Sequence, residues 1–194
     1  MSVELPPTGT FGWKIPKPAR RLTSRASGFG YALYRLLGGR TRVLGLPLLL
    51  LTTVGARSGR RRRIMLQCYP EGDEAWLVVA SGAGSASHPA WLRNMAEHPD
   101  EVWIDVGRYK VKVRPAVLDG AEREEAWRRI VSVAPVNATF QEKTDRVIPV
   151  VRLMRSGQTP DVVRAPAARR PDTKDPSDQA VARISAIGTE ARWC

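Results

Sequence analysis

From Leu46 to Val54 the chain is an unbroken run of apolar and β-branched residues, LPLLLLTTV, without a single charge. A run of this kind reads as a strand buried on both faces. It cannot cross a bilayer, which takes roughly 18–20 apolar residues, since even the longer stretch from Leu44 to Val54 is short and carries Gly45 and Pro47. Gly55-Ala56-Arg57-Ser58-Gly59 follows as turn chemistry, because glycine adopts positive φ without steric penalty. Residues 62–69 read as the returning strand, Glu71-Gly72-Asp73 as a second tight turn, and residues 74–81 as a third strand. The expected arrangement of the three is an antiparallel meander.

Further along, 81–87 is a loop of small residues, and His88-Pro89-Ala90-Trp91 opens a short helix to about Glu97. Pro89 suits its first turn, where a missing N–H is no loss. Strands are expected at 102–106 and 109–118, joined at Gly107-Arg108, with a last strand at 148–154. Asp119 is placed as the N-cap of a helix over 121–133, with Glu122, Glu124 and Glu125 in its first turn and Arg128 and Arg129 near its end. A shorter helix is expected over 138–144. Strands outnumber helices and do not alternate with them, so the fold class is mainly β with inserted helices (α+β), an antiparallel sheet curled into a small barrel.

The flanks differ from this body. Pro6, Pro7, Pro16 and Pro18 mark residues 1–18 as an irregular arm. Leu22, Phe29, Leu33, Leu36 and Leu37 can then share one face of a basic amphipathic helix that Gly38-Gly39 ends. Such a face either caps a core or lies on an anionic membrane, so a peripheral membrane contact is one of its two readings. Residues 19–155 form the expected domain. Residues 156–194, rich in Pro, Asp, Arg and Lys, are expected to be a disordered tail in which 179–187 has weak helical character.

Charge is unevenly distributed. The 194 residues carry 31 Lys and Arg against 19 Asp and Glu, a net +12. Residues 1–70 hold 13 of the basic residues and one acid, Glu4, which leaves 18 of each sign for the remainder. A hydrophobic content of 43% excludes a disordered basic tail protein. The N-terminus lacks the basic and apolar regions of a signal peptide, and two cysteines and two histidines fit no zinc spacing. A cytoplasmic domain without a metal is the expectation.

Three motifs offer chemistry. Arg57 and Arg60–Arg63 crowd one turn, where guanidinium forks and turn N–H groups together suit a phosphate or carboxylate. Strand alternation would separate Arg61 and Arg63 from Arg60 and Arg62, so one pair would face a pocket and the other water. A solvated basic turn is the plain alternative, and a nucleic-acid backbone would satisfy the same groups. Against the latter, neither a reading helix nor an aromatic platform stands beside the arginines. Ala80-Ser81-Gly82-Ala83-Gly84 would let a flat ring or a phosphate approach the backbone, though an ordinary flexible loop has the same composition. His88 could act as a base but is more simply a helix-opening histidine bound to backbone, and Trp91 could stack on a ring or fill the core. Cys68 lies in a strand and reads as apolar filler. No nucleophile–base set can be assembled, which leaves a binder of something flat and anionic whose chemistry comes from a cofactor.

In order along the chain stand Leu51-Thr-Thr-Val-Gly55-Ala-Arg57-Ser58-Gly59, Ala80-Ser81, His88-Pro89-Ala90-Trp91-Leu92-Arg93-Asn94 and Thr144-Asp145-Arg146-Val-Ile-Pro149. Together they resemble the deazaflavin (F420)-dependent nitroreductase and quinone reductase family of actinobacteria, over residues 16–155. The resemblance implies a split β-barrel like that of flavin-binding reductases. It also implies hydride transfer from reduced coenzyme F420 to a quinone, nitro compound or other activated small-molecule acceptor. FMN is the second choice of cofactor. By the same resemblance Arg57, Ser58, Gly59 and Arg62 would hold the cofactor's phosphate, with Arg60 a further cofactor-binding residue. Ala80, Ser81, Gly82, Pro89, Ala90 and Trp91 would border its ring and side chain. Gln67, Asn137 and Phe140 would occupy acceptor-side positions where the family often has tyrosines. Ala56 and Gly82 stand where the family often carries further polar or basic groups. The competing reading is a non-catalytic carrier of cofactor or acyl ligand on the same fold.

Overall fold

Among the described residues nine strands build one antiparallel sheet. The computed structural model describes residues 3–13, 42–43, 45–107, 109–157 and 161–162. All of them belong to the first of two units, Met1–Val163, the second being Arg164–Cys194. The amphipathic helix expected over residues 19–37 lies outside the described residues, as does the tail beyond 162.

The strands are β1 (Arg42–Val43), β2 (Leu46–Val54), β3 (Arg61–Gln67), β4 (Tyr69–Glu71), β5 (Ala75–Val79), β6 (Trp103–Val106), β7 (Tyr109–Val117), β8 (Val150–Arg155) and β9 (Asp161–Val162). The helices are α1 (Ala90–Glu97), α2 (Gly120–Val133) and α3 (Val136–Glu142). β2 pairs with β3 on one side and β6 on the other, with Leu51 opposite both Ile64 and Ile104. From β6 the sheet continues through β7, β8 and β5 to β4. β3 runs into β4 through Cys68, so the sheet turns back toward its start and forms an incomplete barrel. Its opening lies where β3 and β5 approach each other without pairing.

The expected meander is corrected here. Residues 62–69 are not one strand: the ladder breaks at Cys68, whose N–H donates to the Pro47 carbonyl at 3.0 Å. The residues before the break pair with β2, and Tyr69–Glu71 pair with β5 instead. β3 and β5 are thus separated by the gap rather than joined.

Period-two alternation sorts the core into two sets. Leu49, Leu51, Trp76, Val78, Ile104, Val111, Val113, Val151 and Leu153 fill the barrel with Leu92 and Met95 of α1. Leu77 and Val150 point the other way, onto Ala126 and Ile130 of α2, with Tyr69 and Leu118. Burial on both faces is why β5 reads as an uninterrupted apolar segment.

Asp119 does occupy the N-cap position of α2, but through its carbonyl, which accepts the Arg123 N–H at 3.0 Å; its side chain makes no cap bond. Glu122 is the one acid in the first turn and no basic residue falls in the last. Arg129 instead donates to Glu71 of β4 at 2.8 Å, and Glu71 also accepts from Arg152 of β8 at 2.5 Å. Arg152 reaches Glu122 as well, so ion pairing rather than the helix dipole ties α2 to the sheet.

Residues 156 and 161–162, assigned to the tail by composition, lie along β7: Ser156 bonds the Lys112 carbonyl, and β9 pairs with Tyr109 and Lys110. Among the described residues, no helix is long and apolar enough to cross a membrane.

Candidate functional site

The opening between β3 and β5 is a cleft of about 830 Å³. One wall is the turn after β2. Its shape follows from two glycines: the Gly55 carbonyl accepts from Ser58 and Gly59 at 3.1 and 2.8 Å, and Gly59 has φ +61°. At Gly55 a Cβ would lie 2.7 Å from Ser58 Oγ, so a side chain there would push the serine out of the turn. Asn94 of α1 fixes the turn from behind. Its Oδ1 accepts the Ala56 N–H at 3.0 Å and its Nδ2 donates to Thr53 Oγ1 at 3.1 Å.

Arg57 and Ser58 project from this turn into the cleft, joined by Arg62, Arg63, Ile64 and Leu66 of β3 and by Arg93 of α1. Among the described residues, four arginines therefore line the space and no Asp or Glu does. Alternation separates Arg62 from Arg61, which packs 4.9 Å over the Trp103 ring on the other face. Arg63 departs from the expected division. It too lines the cleft, which the reach of a long side chain allows.

The opposite wall is the loop after β5. Gly82, Ala83 and Gly84 all have positive φ, +53°, +55° and +80°, and only Ala83 bears a Cβ in that region. Left-handed backbone costs such a residue about 1–2 kcal/mol, so surrounding contacts must impose it. One is Arg146, 3% exposed, whose Nε donates to the Ser85 carbonyl and whose Nη2 donates to those of Ser81 and Ala80, at 2.7, 2.7 and 3.0 Å. Another is the close seat on α3: a Cβ on Gly84 would fall 2.6 Å from Lys143 Cβ. The third is the N-terminal arm. Gly9 and Trp13 donate to the Ala86 and Gly84 carbonyls, each at 2.9 Å, while Thr10 and Phe11 donate to the Asp145 carboxylate.

Of the residues expected to bind a cofactor, Arg57, Ser58, Arg62, Ser81, Gly82, Pro89, Ala90 and Trp91 line the cleft. Gly59, Arg60 and Ala80 do not. Gly59 shapes the turn, the Arg60 N–H reaches Ser58 Oγ at 3.4 Å, and Ala80 serves Arg146. Gln67, Asn137 and Phe140 also fall outside the lining. Asn137 is buried and donates to Tyr69 Oη at 3.0 Å and to the Ala134 carbonyl at 3.2 Å. Trp91 packs into the barrel core, as one of its readings had it, and also borders the cleft.

His88 lies outside the lining, 4% exposed, with Nε2 2.8 Å from the Pro6 carbonyl. Burial lowers its pKa. Burial pushes the Cys68 thiol up to about 12, in keeping with an inert packing role. Arg93 and Asn94 had no individual role from sequence, and Arg63 belonged to the arginine turn without being among the expected cofactor residues. Helical spacing offered a signal for two of them, since Ala90, Arg93 and Asn94 share a face once α1 starts at Ala90. Among the described residues no group of three or more His, Cys, Asp or Glu could hold a metal.

The space suits a long anionic ligand with a flat part. The arginines meet negative charge, the left-handed loop admits a ring edge close to the backbone, and Ile64, Leu66, Val79 and Trp91 supply apolar contact.

Comparison with known proteins bears on the family of the chain. An F420H(2)-dependent quinone reductase of Mycobacterium tuberculosis is 37% identical over 131 residues, which cover 64% of this chain and 86% of that protein. A solved F420-H2 dependent reductase, FDR-A, is 36% identical with a TM-score of 0.50, covering 55% of this chain and 93% of the other. A second solved chain, described as a domain-swapped dimer, is 33% identical with a TM-score of 0.52, covering 67% and 99%. The F420H(2)-dependent quinone reductase family model matches residues 30–155, so the incomplete barrel with its arginine-lined opening belongs to that family of oxidoreductases.

Proposed function

We propose that this protein oxidises reduced F420 with a quinone as acceptor, and that F420 lies in the cleft between β3 and β5. The observation that carries the placement is that, among the described residues, four arginines and no carboxylate line the cleft, facing a wall of small residues in left-handed backbone. Bound reduced F420 supplies the hydride; the protein supplies binding, orientation and a wall against water. Arg57, Ser58 and Arg62 hold the phosphate, with Gly55 and Gly59 fixing the turn. Ser81 and Gly82 lie along one edge of the ring and Pro89, Ala90 and Trp91 along its apolar side. Arg63 and Arg93 extend positive charge along the same wall toward the rest of the anionic chain.

On the acceptor side, Asn137 is already committed to Tyr69 and Ala134. Phe140 therefore stands out among the three candidates there, since its carbonyl approaches Gly84 of the cleft loop. Gln67 sits opposite Leu48 at the end of β3.

Titration with F420, followed by its fluorescence, tests the site, with FMN as competitor in the same assay. Binding at micromolar concentrations that FMN does not displace is expected. No F420 binding at tens of micromolar would refute the placement. Stopped-flow oxidation of bound F420H2 by menadione then separates an enzyme from a carrier, since a carrier would hold the reduced cofactor without turnover.

A further inference from the structure

The Asp145-Arg146 pair borders no part of the cleft, yet both of its side chains reach the elements that build it. Asp145 faces the arm, accepting from Thr10 and Phe11. Arg146 turns the opposite way, beneath the loop of residues 80–85. Its guanidinium is spent on three main-chain carbonyls, its Nη1 is buried without a partner, and no carboxylate among the described residues pairs with it. Burying a cation against neutral acceptors alone is unfavourable, and burial accordingly lowers its pKa. Loop shape does not require that charge, because neutral donors can also satisfy carbonyls. The position of the charge is specific, however: a Cβ on Gly82 would lie 3.6 Å from Arg146 Nη2, so the guanidinium sits directly behind a residue that lines the cleft.

We propose that Arg146 is a positioning residue with two effects: its fork holds the 80–85 loop in left-handed form, and its uncompensated charge favours negative charge on the ring in front of that loop. This rests on the placement of the F420 ring beside Ser81 and Gly82. The bound ring can report the field directly, because oxidised F420 carries an acidic ring hydroxyl whose ionisation changes its visible absorbance. At an effective dielectric of about 20, a unit charge roughly 10 Å away moves an ionisable group by about one pKa unit.

The test is a spectrophotometric pH titration of oxidised F420 bound to the full chain and to Arg146→Gln and Arg146→Lys. The expected result is a ring pKa about one unit higher in Arg146→Gln than in the wild type, restored by Arg146→Lys to within a few tenths. A folded Arg146→Gln that binds F420 with the wild-type ring pKa overturns the proposal, since a purely structural role would weaken binding and leave that value alone. Should Arg146→Gln not fold, Arg146→Lys carries the test. It keeps the charge and loses the fork, so F420 affinity should fall several-fold with the ring pKa unmoved. Wild-type affinity, or a ring pKa raised by a unit, overturns it there. A wild-type chain that fails to bind F420 defeats the site placement and this proposal together, which separates that failure from an unmoved pKa in a binding-competent variant.

Discussion

His88 is held by one main-chain acceptor. A carbonyl only accepts, so the 2.8 Å contact with Pro6 fixes the proton on Nε2 and leaves buried Nδ1 without a partner. Protonating Nδ1 would charge a ring that is taken out of water and faces Arg146 and Arg93, and its pKa is lowered by burial first and by those cations second. The sign of the linkage follows. Below about pH 6.5 the unfolded chain takes up a proton that the folded chain refuses until its lower pKa is reached, so folding stability falls as pH drops through that window. Thermal melts between about pH 7.5 and 5 should show a slope that His88→Gln reduces; an unchanged slope would assign the acid sensitivity elsewhere. Asn94 makes a second residue-level prediction. Its amide joins α1 to the arginine turn through two bonds, so Asn94→Ala strands the Ala56 N–H and should destabilise the fold by about 1–3 kcal/mol in denaturant melts. F420 affinity should fall with it. His88 was legible from sequence as a backbone-bound histidine. Asn94 was not, because its partners are 38 and 41 residues away.

The N-terminal arm behaves as an element of the site although it contains little regular structure. Gly12 forms a bridge with Thr144 and lies so close to the cleft loop that a Cβ would fall 2.1 Å from the Ala86 nitrogen. Gly9 is similarly constrained, with Asp145 Oδ1 at 2.2 Å from its Cβ position. Gly12→Val should therefore lift the arm from the 84–86 segment. Because Leu5 alone of the arm packs against the barrel core among the described residues, the melting temperature should change by less than about 5 °C while F420 affinity falls several-fold. A large loss of Tm with unchanged affinity would show that the arm supports the fold and not the loop. Proline content marked residues 1–18 as an irregular arm, and the described residues 3–13 hold no helix or strand beyond the bridge at Gly12. That content carried no information on where an irregular segment would dock, since main-chain bonds to Gly84 and Ala86 leave no residue pattern. The break at Cys68 escaped sequence reading for a related reason. Residues 62–69 are all compatible with extended backbone, and only the change of pairing partner divides them into β3 and β4.

On the scale of the whole molecule, charge and shape combine. The net +12 is concentrated before residue 71, and Arg57, Arg62 and Arg63 bring part of it to the cleft, where Arg93 from the neutral remainder joins them. A polyanionic ligand should therefore bind with a strong salt dependence. Raising NaCl from about 50 to 500 mM should weaken F420 roughly tenfold, and replacing Arg93 with Gln should flatten that dependence. A salt-independent dissociation constant would mean that apolar contact dominates.

Sequence alone determined the strands with strong alternation or continuous apolar character, the turn chemistry and the presence of an arginine cluster. These depend on local backbone preference and on burial, both written residue by residue. The family resemblance came from ordered local motifs in the same way. Tertiary structure decided where the sheet stays open and which arginines share that opening. It also decided that Arg146 lies buried behind the loop while Asn137 is occupied elsewhere. Each of those outcomes depends on the partner met across the sheet, and pairing energies are set by residues distant in the chain.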